Sequence, residues 1–427
     1  MKPRPKPPIA QLPAGHRTLI FDMRQSDVLI VGAGPAGAWA AFQLARAGGR
    51  VTIFDASHPR EKPCGGGLTG RVLSMVGPVL PLDCLPLVPV TSLRFESGSA
   101  FSEFAMPTLG ATAETALVII DRRTFDAALL EAACRAGAVH VRERAREVRV
   151  GPSGVEVETQ SGRWHGDVLA GADGATSLVR RRLVAPFTRN QLSIAAGCFV
   201  HGVSSSQVRI RTVGGPPGYI WSFPRATHLA VGICAQADAT TADALRDRVA
   251  AWLDENRVAP GAPREPYSWP IPSLSSADFA REQPAGDRWM LLGDAAGLVD
   301  PLTREGIYFA LASAQLGADT IARGASCRRY ADRLREQVYP ELSRAADLKV
   351  RFFTSGFSDL MIRGFDRSSA VRDVMIDLVA GRQPYATLKR RLLRTFEVGL
   401  ALRLLRLQLA GRVRRFAHPR GSADSRR

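Results

Sequence analysis

One segment combines a thiol with three consecutive glycines, in the order Pro63-Cys64-Gly65-Gly66-Gly67-Leu68. Glycine adopts positive φ angles and lets a flat ligand approach the backbone closely, because it has no side chain. A thiol in that setting could face the ligand and react with it. The alternative is a turn in which Cys64 is a small buried residue, the common environment of a free cysteine.

A predicted βαβ unit precedes this segment. A strand over residues 27–31 runs into Gly32-Ala33-Gly34-Pro35-Ala36-Gly37, a helix follows over 35–47, and a second strand over 50–54 ends at Asp55-Ala56. The glycines permit a tight turn and the close approach of a pyrophosphate, which the helix N-terminus attracts. Asp55 is placed to accept a hydrogen bond from a ribose hydroxyl. The unit therefore predicts dinucleotide binding.

Two further glycine motifs follow predicted strands. The first is Gly171-Ala172-Asp173-Gly174, and the second is Gly293-Asp294-Ala295-Ala296-Gly297, with Pro301, Glu305, Gly306 and Ile307 shortly after it. Short strands between residues 192 and 234 predict a second sheet. Residues 259–272 read as a proline-rich crossing, and the chain from residue 330 onward reads as helical.

These three ordered motifs resemble the FAD-dependent, p-hydroxybenzoate-hydroxylase-like flavoproteins. The resemblance implies an α/β fold: a Rossmann-like FAD-binding domain with a β-sheet substrate domain and a helical C-terminal region. Arg122, in the pattern Arg122-x-x-Phe125-Asp126, resembles the superfamily arginine that contacts FAD. The implied cofactor-binding residues are Gly32, Gly34, Pro35, Ala36, Gly37, Asp55, Ala56, Cys64, Gly66, Gly67, Arg122, Asp173, Gly174, Gly293, Asp294, Pro301, Glu305, Gly306 and Ile307.

Within that superfamily, two segments resemble the geranylgeranyl reductase family, whose members reduce isolated double bonds of isoprenoid chains with reduced flavin. One is Pro59-Arg60-x-x-Pro63-Cys64-Gly65-Gly66-Gly67-Leu68, and the other is Tyr219-x-Trp221-x-Phe223-Pro224. The resemblance implies catalytic roles for Cys64, Gly65 and Gly66, and a prenyl-binding role for Tyr219, Trp221, Phe223 and Pro224. The family has glycine at the position of Arg304, so we expect an altered flavin edge or a narrower pocket here.

The aromatic segment also has a plainer interpretation. Side chains alternate along a strand, so Tyr219, Trp221 and Phe223 fall on one face. They could form a long apolar wall for a prenyl chain, or they could fill a core between sheet and helix. The resemblance favours the wall.

Two other functions stay open. A flavin monooxygenase or halogenase of the same fold would act on an aromatic ring. A flavin-bound scaffold or lipid carrier would leave the Cys64 segment and the aromatic strand without a role. No second glycine fingerprint is visible for a nicotinamide, so the electron donor could be NAD(P)H or reduced ferredoxin.

Charge and cysteine content narrow the partners. Residues 382–427 hold 13 Lys/Arg and two acidic residues, within a chain of net charge +17. This basic region could bind an anionic membrane surface or a pyrophosphate group, or be a solvated tail. Nucleic acid is a weaker fit, since leucines and not aromatics interleave the charges. The six cysteines are scattered and the histidines are isolated, so the sequence predicts neither disulfides nor a metal site. The scattered cysteines also predict a reducing, cytoplasmic compartment.

The domain limits follow from these segments. We expect a disordered basic arm over residues 1–25, with Met23 as an alternative start. The FAD-binding domain would take residues 26–90, 115–185 and 285–325. The substrate sheet would take 91–114 and 186–284, and the helical region 326–427. No signal peptide or membrane-spanning segment is visible, and the oligomeric state stays open.

Overall fold

The computed structural model describes residues 25–106, 117–353 and 355–395. The predicted N-terminal arm, the alternative start at Met23 and the basic region beyond residue 395 lie outside these ranges.

Strands and helices alternate at first, and helices follow alone at the end. The strands are β1 (Gln25–Val31), β2 (Val51–Phe54), β3 (Gly67–Thr69), β4 (Val88–Pro89), β5 (Ser92–Ser97), β6 (Ala100–Ala105), β7 (Leu117–Ile119), β8 (Val139–Val141), β9 (Glu147–Gly151), β10 (Gly154–Glu158), β11 (Arg163–Gly171), β12 (Leu192–His201), β13 (Gln207–Val213), β14 (Gly218–Pro224), β15 (His228–Gln236), β16 (Arg264–Pro272) and β17 (Trp289–Leu291). The helices are α1 (Pro35–Arg46), α2 (Gly70–Val76), α3 (Arg122–Arg135), α4 (Leu178–Leu183), α5 (Ala242–Glu255), α6 (Ser276–Phe279), α7 (Ile307–Ala322), α8 (Cys327–Gln337), α9 (Tyr339–Phe352), α10 (Ser355–Arg367), α11 (Ser369–Val379) and α12 (Tyr385–Arg394).

The first sheet has the order β8-β2-β1-β11-β10-β9, and β17 also pairs with β11. Its strands β8, β2, β1, β11 and β17 run parallel to one another. The short apolar runs of β1 and β2 are buried, as is usual for parallel strands covered by helices, whereas no residue of the edge strand β8 is buried. Helix α1 packs against both α3 and α7. This is the predicted Rossmann-like unit.

The second sheet has the order β16-β12-β15-β14-β13-β5-β6. One face packs on α5, where Ile220, Val231 and Ile233 contact Leu245 and Trp252 in one buried cluster. The other face carries the odd-numbered aromatic residues of β14 and faces the helical region. The period-2 alternation of strand side chains therefore separates a filled core from an open face.

The proline-rich crossing predicted over residues 259–272 was wrong in part, because β16 occupies most of it. β16 lies at the edge of the sheet and pairs with β12 alone. Pro266 and Pro270 lie opposite Cys198 and Ile194. Proline lacks an N–H donor, and an edge strand tolerates it because one side needs no ladder.

Helices α8 to α12 make up the described part of the predicted helical region. Helix α10 packs on β5 and β6, and its Phe365 joins Phe95, Phe104 and Met375 in a buried cluster. None of the helices in the described ranges combines the length and apolar character that spanning a bilayer requires. The predicted domain limits remain a prediction.

Candidate functional site

The glycine motifs meet at one edge of the first sheet. β1, β2, β11 and β17 are parallel, so their carboxyl ends lie side by side. The chain leaves these ends at Gly32, Asp55, Ala172 and Leu292. Open α/β sheets bind ligands in the crevice outside the carboxyl ends of their strands. The fold therefore brings together three motifs that are far apart in sequence.

Two glycines of the first motif are required by packing. Gly32 has a φ of +101°, and a Cβ there would overlap the carbonyl group of Ala172. A Cβ on Gly37 would overlap the carbonyl oxygen of Gly32. Helix α1 then begins at Pro35, with Gly34 as N-cap and no side-chain hydrogen bond to the cap. Its first N–H groups are thus available to a phosphate.

Asp55 accepts hydrogen bonds on both carboxylate oxygens. Oδ2 accepts from Ala33 N at 2.9 Å and from His58 Nδ1 at 2.8 Å, and Oδ1 accepts from the backbone and hydroxyl of Ser57. Burial disfavours the charged carboxylate, but these hydrogen bonds and the His58 charge outweigh burial and lower the pKa of Asp55. A ribose hydroxyl would be a further hydrogen-bond donor to a carboxylate that already accepts from several protein groups. The ribose-binding role of Asp55 stays a prediction.

The two later aspartates each have a protein partner. Asp173 Oδ2 accepts from Leu178 N at 2.6 Å and so caps α4, while burial raises the pKa of this carboxyl group. Asp294 Oδ2 lies 2.8 Å from Lys62 Nζ. Beside Asp294, α7 begins after Gly306 with no side-chain cap. The edge therefore presents two helix N-termini, those of α1 and α7, to a ligand.

The Cys64 loop, residues 58–67, is tied to both sheets. Glu61 accepts hydrogen bonds from the first N–H groups of α3, and Lys62 pairs with Asp294 at the first sheet. The carbonyl oxygen of Cys64 accepts a hydrogen bond of 2.8 Å from Arg225 Nη2, at the end of β14 in the second sheet. The loop therefore lies where the predicted cofactor edge meets the second sheet.

Arg225 is the group that holds the loop from the second sheet, and sequence reasoning missed it. Its side chain is fully buried. Nη1 donates to Ile120 O at 2.5 Å and to Asp121 Oδ1 at 3.0 Å. Burying a guanidinium is costly unless it is paired and hydrogen-bonded; here both Nη atoms have partners, and Nε has none among the described residues. Its position directly after the Phe223-Pro224 pair was the available signal.

The glycines beside Cys64 make room for protein side chains. A Cβ on Gly65 would overlap the ring of Phe223. Gly66 has a φ of +77°, and a Cβ there would overlap Ile120 O and lie 2.7 Å from Arg225 Cζ. The sequence pattern was interpreted as space for a flat ligand. In the structure, the close approaches at these two positions come from Phe223 and Arg225.

A row of buried charged groups connects Asp55 to the thiol. His58 Nε2 lies 3.3 Å from Asp126 Oδ2, and Asp126 accepts two hydrogen bonds of 2.9 and 2.8 Å from Arg122. Burial alone would lower the pKa of Arg122, but Asp126 and then Cys64 raise it above its ordinary value. Cys64 Sγ also accepts from Gly66 N at 3.3 Å. From the sequence, the isolated histidines were predicted only to form no metal site, and the two carboxylate contacts of His58 were not predicted.

A cavity of about 250 Å³ lies beside the Cys64 loop and along the open face of the second sheet. Ala195, Cys234, Tyr219 and Thr212 line it, and they face one another across four neighbouring strands. With Ile271 of β16 and the lining residues of β5, the cavity crosses six strands. Strands lie ~4.8 Å apart, so this wall is about 24 Å wide.

The helical region closes the cavity on the opposite side. Phe353 stacks on Tyr219 with ring centroids 5.9 Å apart. Met361, Phe365 and Met375 line the cavity near β5. These apolar residues were predicted only to be helical. Their contact with the sheet depends on how the helices fold back, which no local pattern states.

The predicted site residues divide between the cavity and the cofactor edge. Those that line the cavity are Pro35, Cys64, Gly65, Gly66, Gly67, Arg122, Tyr219, Trp221, Phe223, Asp294, Glu305, Gly306 and Ile307. Those that lie elsewhere are Gly32, Gly34, Ala36, Gly37, Asp55, Ala56, Asp173, Gly174, Pro224, Gly293 and Pro301. Pro224 is buried at the end of β14 and Ala56 is exposed. Binding roles for both groups stay predictions.

Arg304 has a φ of +63°, in the left-handed region that favours glycine. This backbone conformation explains why a glycine suits the position. The Arg304 side chain lines the cavity, and its Nη1 donates to Ser273 Oγ at 2.7 Å. Lys349 Nζ donates to the same oxygen, also at 2.7 Å. Two cations therefore share one hydroxyl group at the β16 side of the cavity.

Comparisons with known proteins agree with this geometry. A family model described as an FAD binding domain matches residues 25–318. The chain is 31% identical over 330 residues to a menaquinone reductase of Mycolicibacterium smegmatis, covering 70% of this chain and 77% of that protein. It is 27% identical over 380 residues to the chloroplastic geranylgeranyl diphosphate reductase of Nicotiana tabacum, covering 84% and 78%. A geranylgeranyl bacteriochlorophyll reductase-like structure from Thermoplasma acidophilum shares the fold, with a TM-score of 0.71 and 20% identity, over 87% of this chain and 99% of that one.

The fold and the site define an FAD-dependent oxidoreductase with the p-hydroxybenzoate-hydroxylase-like architecture. Within this class, the chain belongs to the geranylgeranyl reductase family, since it is 30% identical over 316 residues to the geranylgeranyl diphosphate reductase of Rhodobacter capsulatus, covering 69% of this chain and 74% of that protein. The predicted fold class and family are thereby confirmed.

The residues present fit FAD. The N-termini of α1 and α7 have no side-chain cap and can receive the phosphates of FAD and the edge of its flavin. Gly32 and Gly37 carry no side chain, so the backbone there is itself the surface that a ligand would contact. The residues that would hold it are those of the three glycine motifs, with Asp55 and Arg122 beside them. Bound FAD would supply hydride chemistry at the cavity end near Asp294.

Proposed function

We propose that this protein reduces carbon–carbon double bonds of an isoprenoid chain. The observation that carries the proposal is that one continuous cavity begins at the predicted cofactor residues Gly306 and Ile307, passes Cys64, and continues along an apolar wall. A long unsaturated chain could lie on that wall with one bond beside the cofactor. The names of the relatives, which include geranylgeranyl diphosphate and menaquinone reductases, support a substrate of this class.

Tyr219, Trp221 and Phe223 would hold the chain by apolar contact and orient it. Tyr219 is itself fixed, because its hydroxyl donates to Thr303 O at 3.0 Å. A rigid aromatic wall reduces the entropy lost when the chain is aligned for reaction.

Cys64 would position the double bond or donate the proton that completes its saturation. Its backbone is held by Arg225, and its Sγ by Gly66 N, so the thiol has a defined position beside the cavity. The apolar residues of α9 to α11 would keep water from the reacting bond.

The direct test uses FAD-loaded protein reduced with dithionite under anaerobic conditions. After incubation with geranylgeranyl diphosphate, geranylgeraniol and a menaquinone, the samples are reoxidised in air so that any quinol returns to the quinone. Mass spectrometry should then show prenyl chains that have gained pairs of hydrogens. The proposal fails if the cofactor is reduced but none of the three compounds is converted.

A monooxygenase or halogenase with this fold is the rival function. It predicts a hydroxylated or halogenated aromatic product when oxygen and halide are present. Such a product, formed without any hydrogenated prenyl compound, would replace our proposal. The scaffold hypothesis predicts no product in either assay.

The electron donor and the location in the cell are part of the proposal. NAD(P)H and reduced ferredoxin can be compared by the rate of cofactor bleaching. We propose a cytoplasmic protein that reaches a membrane through its basic region, residues 382–427. Liposome flotation with and without those residues tests this role, and equal flotation of both forms would remove it.

A further inference from the structure

The turn over residues 300–306 leads from the third glycine motif into α7, and one carboxylate organises it. Asp300 Oδ1 accepts hydrogen bonds from the N–H groups of Leu302 and Thr303, at 2.8 and 3.0 Å. The turn ends at Gly306, which is the N-cap of α7 and lines the cavity. The position of the α7 N-terminus therefore depends on how Asp300 holds this turn.

Asp300 is a buried carboxylate, 3% exposed, and it forms no ion pair in the described part of the chain. Burying a carboxylate is costly unless hydrogen bonds replace its contacts with water. Its second oxygen, Oδ2, accepts a hydrogen bond of 2.7 Å from the hydroxyl of Tyr385. Among the described residues, this hydroxyl is the only side-chain donor to Asp300.

Tyr385 is the first residue of α12 and lies beyond residue 318, where the match to the FAD binding domain ends. Its backbone N–H donates to Glu341 Oε2 of α9 at 2.7 Å, and its ring packs on the cluster of Leu302 and Phe353. Burial, and then the charge of Asp300, raise the pKa of Tyr385, so the hydroxyl stays protonated and remains a donor. The donor is thus fixed in position by both α9 and the turn.

The same segment makes a second contact near the turn. Gly381, just after α11, has a φ of +74°, and a Cβ there would overlap Arg71 Nε. Arg71 in turn pairs with Glu305, and its guanidinium lies 3.7 Å from the centre of the Tyr308 ring. Residues 381 and 385 therefore reach both ends of the segment that was predicted to hold the cofactor.

We propose that Tyr385 is a positioning residue for FAD, which acts through Asp300 on the turn that precedes α7. Without the hydroxyl, Asp300 Oδ2 loses its only side-chain donor, and the turn can shift to find another. Gly306 and the first N–H groups of α7 would move with it, so FAD would bind less tightly. The inference rests on the predicted FAD contacts of Glu305 and Gly306 and is independent of the substrate. It makes the C-terminal helices part of the cofactor site.

The first experiment measures FAD release from the loaded full-length protein on dilution, by the fluorescence of free FAD. The variant is Tyr385→Phe, which keeps the ring and removes the hydroxyl. The matched control is Tyr339→Phe on α9, because the Tyr339 hydroxyl is buried without a hydrogen-bond partner in the described part of the chain. We expect the dissociation constant of FAD to rise about three- to tenfold in the variant and to change less than about twofold in the control.

The second experiment separates positioning from packing. Without the Tyr385 hydroxyl, the charge of Asp300 is less compensated, so a negatively charged reduced flavin is disfavoured and the midpoint potential should fall. A threefold change in the relative affinity for the two redox states corresponds to about 15 mV. In an Asp300→Ala background, Tyr385→Phe should change the FAD dissociation constant less than about twofold, because no carboxylate remains for the hydroxyl to hold.

Three results would overturn the inference. Tyr385→Phe could lower the urea midpoint while its FAD affinity and midpoint potential match those of the control, which would make Tyr385 a packing residue only. The control could lose as much FAD affinity as the variant. Tyr385→Phe could also keep its full effect without Asp300. If Asp300→Ala does not fold, the FAD affinity and the midpoint potential of Tyr385→Phe still decide. No prenyl compound enters these measurements, so this inference and the proposed function fail separately.

Discussion

Gly65→Ala tests whether the Cys64 loop must pack directly on the aromatic wall. A Cβ at residue 65 would lie closer than 3.0 Å to the Phe223 ring, a separation that real Cβ atoms do not show. Either the ring or the loop must move. Overpacking of this kind costs about 1–3 kcal/mol of unfolding free energy. Because the overlap lies between Cys64 and the cavity wall, turnover should also fall.

A double-mutant cycle separates this overlap from a general effect of alanine. Phe223→Leu alone should cost about 1 kcal/mol, as a near-conservative apolar change. With the smaller side chain in place, the added Cβ has room. The loss of unfolding free energy in the double variant should therefore be smaller than the sum of the two single losses by about 1–2 kcal/mol. Urea unfolding of the four proteins, followed by tryptophan fluorescence, measures the cycle.

Gly214→Ala is the matched control, since Gly214 has no atom within 4 Å of a built Cβ and no positive φ. It should change the unfolding free energy by less than about 0.5 kcal/mol. If Gly65→Ala is as well tolerated as this control, or if Phe223→Leu does not relieve it, the loop does not depend on the Phe223 contact and the reasoning is wrong.

Three further outcomes are expected. Asp126→Asn removes the carboxylate that pairs with the buried Arg122 and should lower the unfolding free energy by about 3–5 kcal/mol. Glu131→Gln, on the exposed side of α3, should lower it by almost nothing, and similar losses in the two variants would contradict a stabilising role of the buried ion pair. Cys64→Ala should keep FAD bound but lose or alter alkene reduction, while the exposed Cys84→Ser keeps both; an unchanged product pattern would leave Cys64 as part of a turn. Burial lowers the pKa of His58, but the carboxylates of Asp126 and Asp55 raise it above 6.5. The stabilisation of the folded protein by protonated His58 is therefore complete below pH 6.5 and is lost as the pH rises through the raised pKa. The difference in urea midpoint between wild type and His58→Gln should therefore shrink as the pH rises above 6.5, and a difference that stays constant with pH would refute this prediction.

The cofactor edge was predictable because its signals are local. Each motif follows a strand, and parallel strands place their carboxyl ends together. Gly37 is required by a contact with Gly32 inside its own motif, so the spacing of the two carries information, whereas Gly32 is required by its positive φ and by its contact with Ala172 of the second motif. The alternating aromatics of β14 are equally local, since period 2 decides which face they share.

Contacts between distant segments were not predictable. Arg225 holds Cys64 across 161 residues, and Lys62 pairs with Asp294 across 232. β16 was missed because prolines argue against a strand unless its edge position is known, and that position depends on the whole sheet. Lys349 gave no signal of its own, since its proximity to Arg304 becomes visible only through the Ser273 hydroxyl to which both donate.

The difference between local signals and distant contacts also explains why the prediction for the glycines beside Cys64 was incomplete. A run of glycines states that something approaches the backbone closely, but not what approaches it. Here Phe223 and Arg225, both at the end of β14, fill the space that side chains at 65 and 66 would need. The loop is thereby fixed to the second sheet on one side and, through Lys62, to the predicted cofactor edge of the first sheet on the other. In the function we propose, the thiol would reach a bond between cofactor and wall only while both attachments hold. The Gly65 cycle is therefore a test of the proposed chemistry as well as of packing.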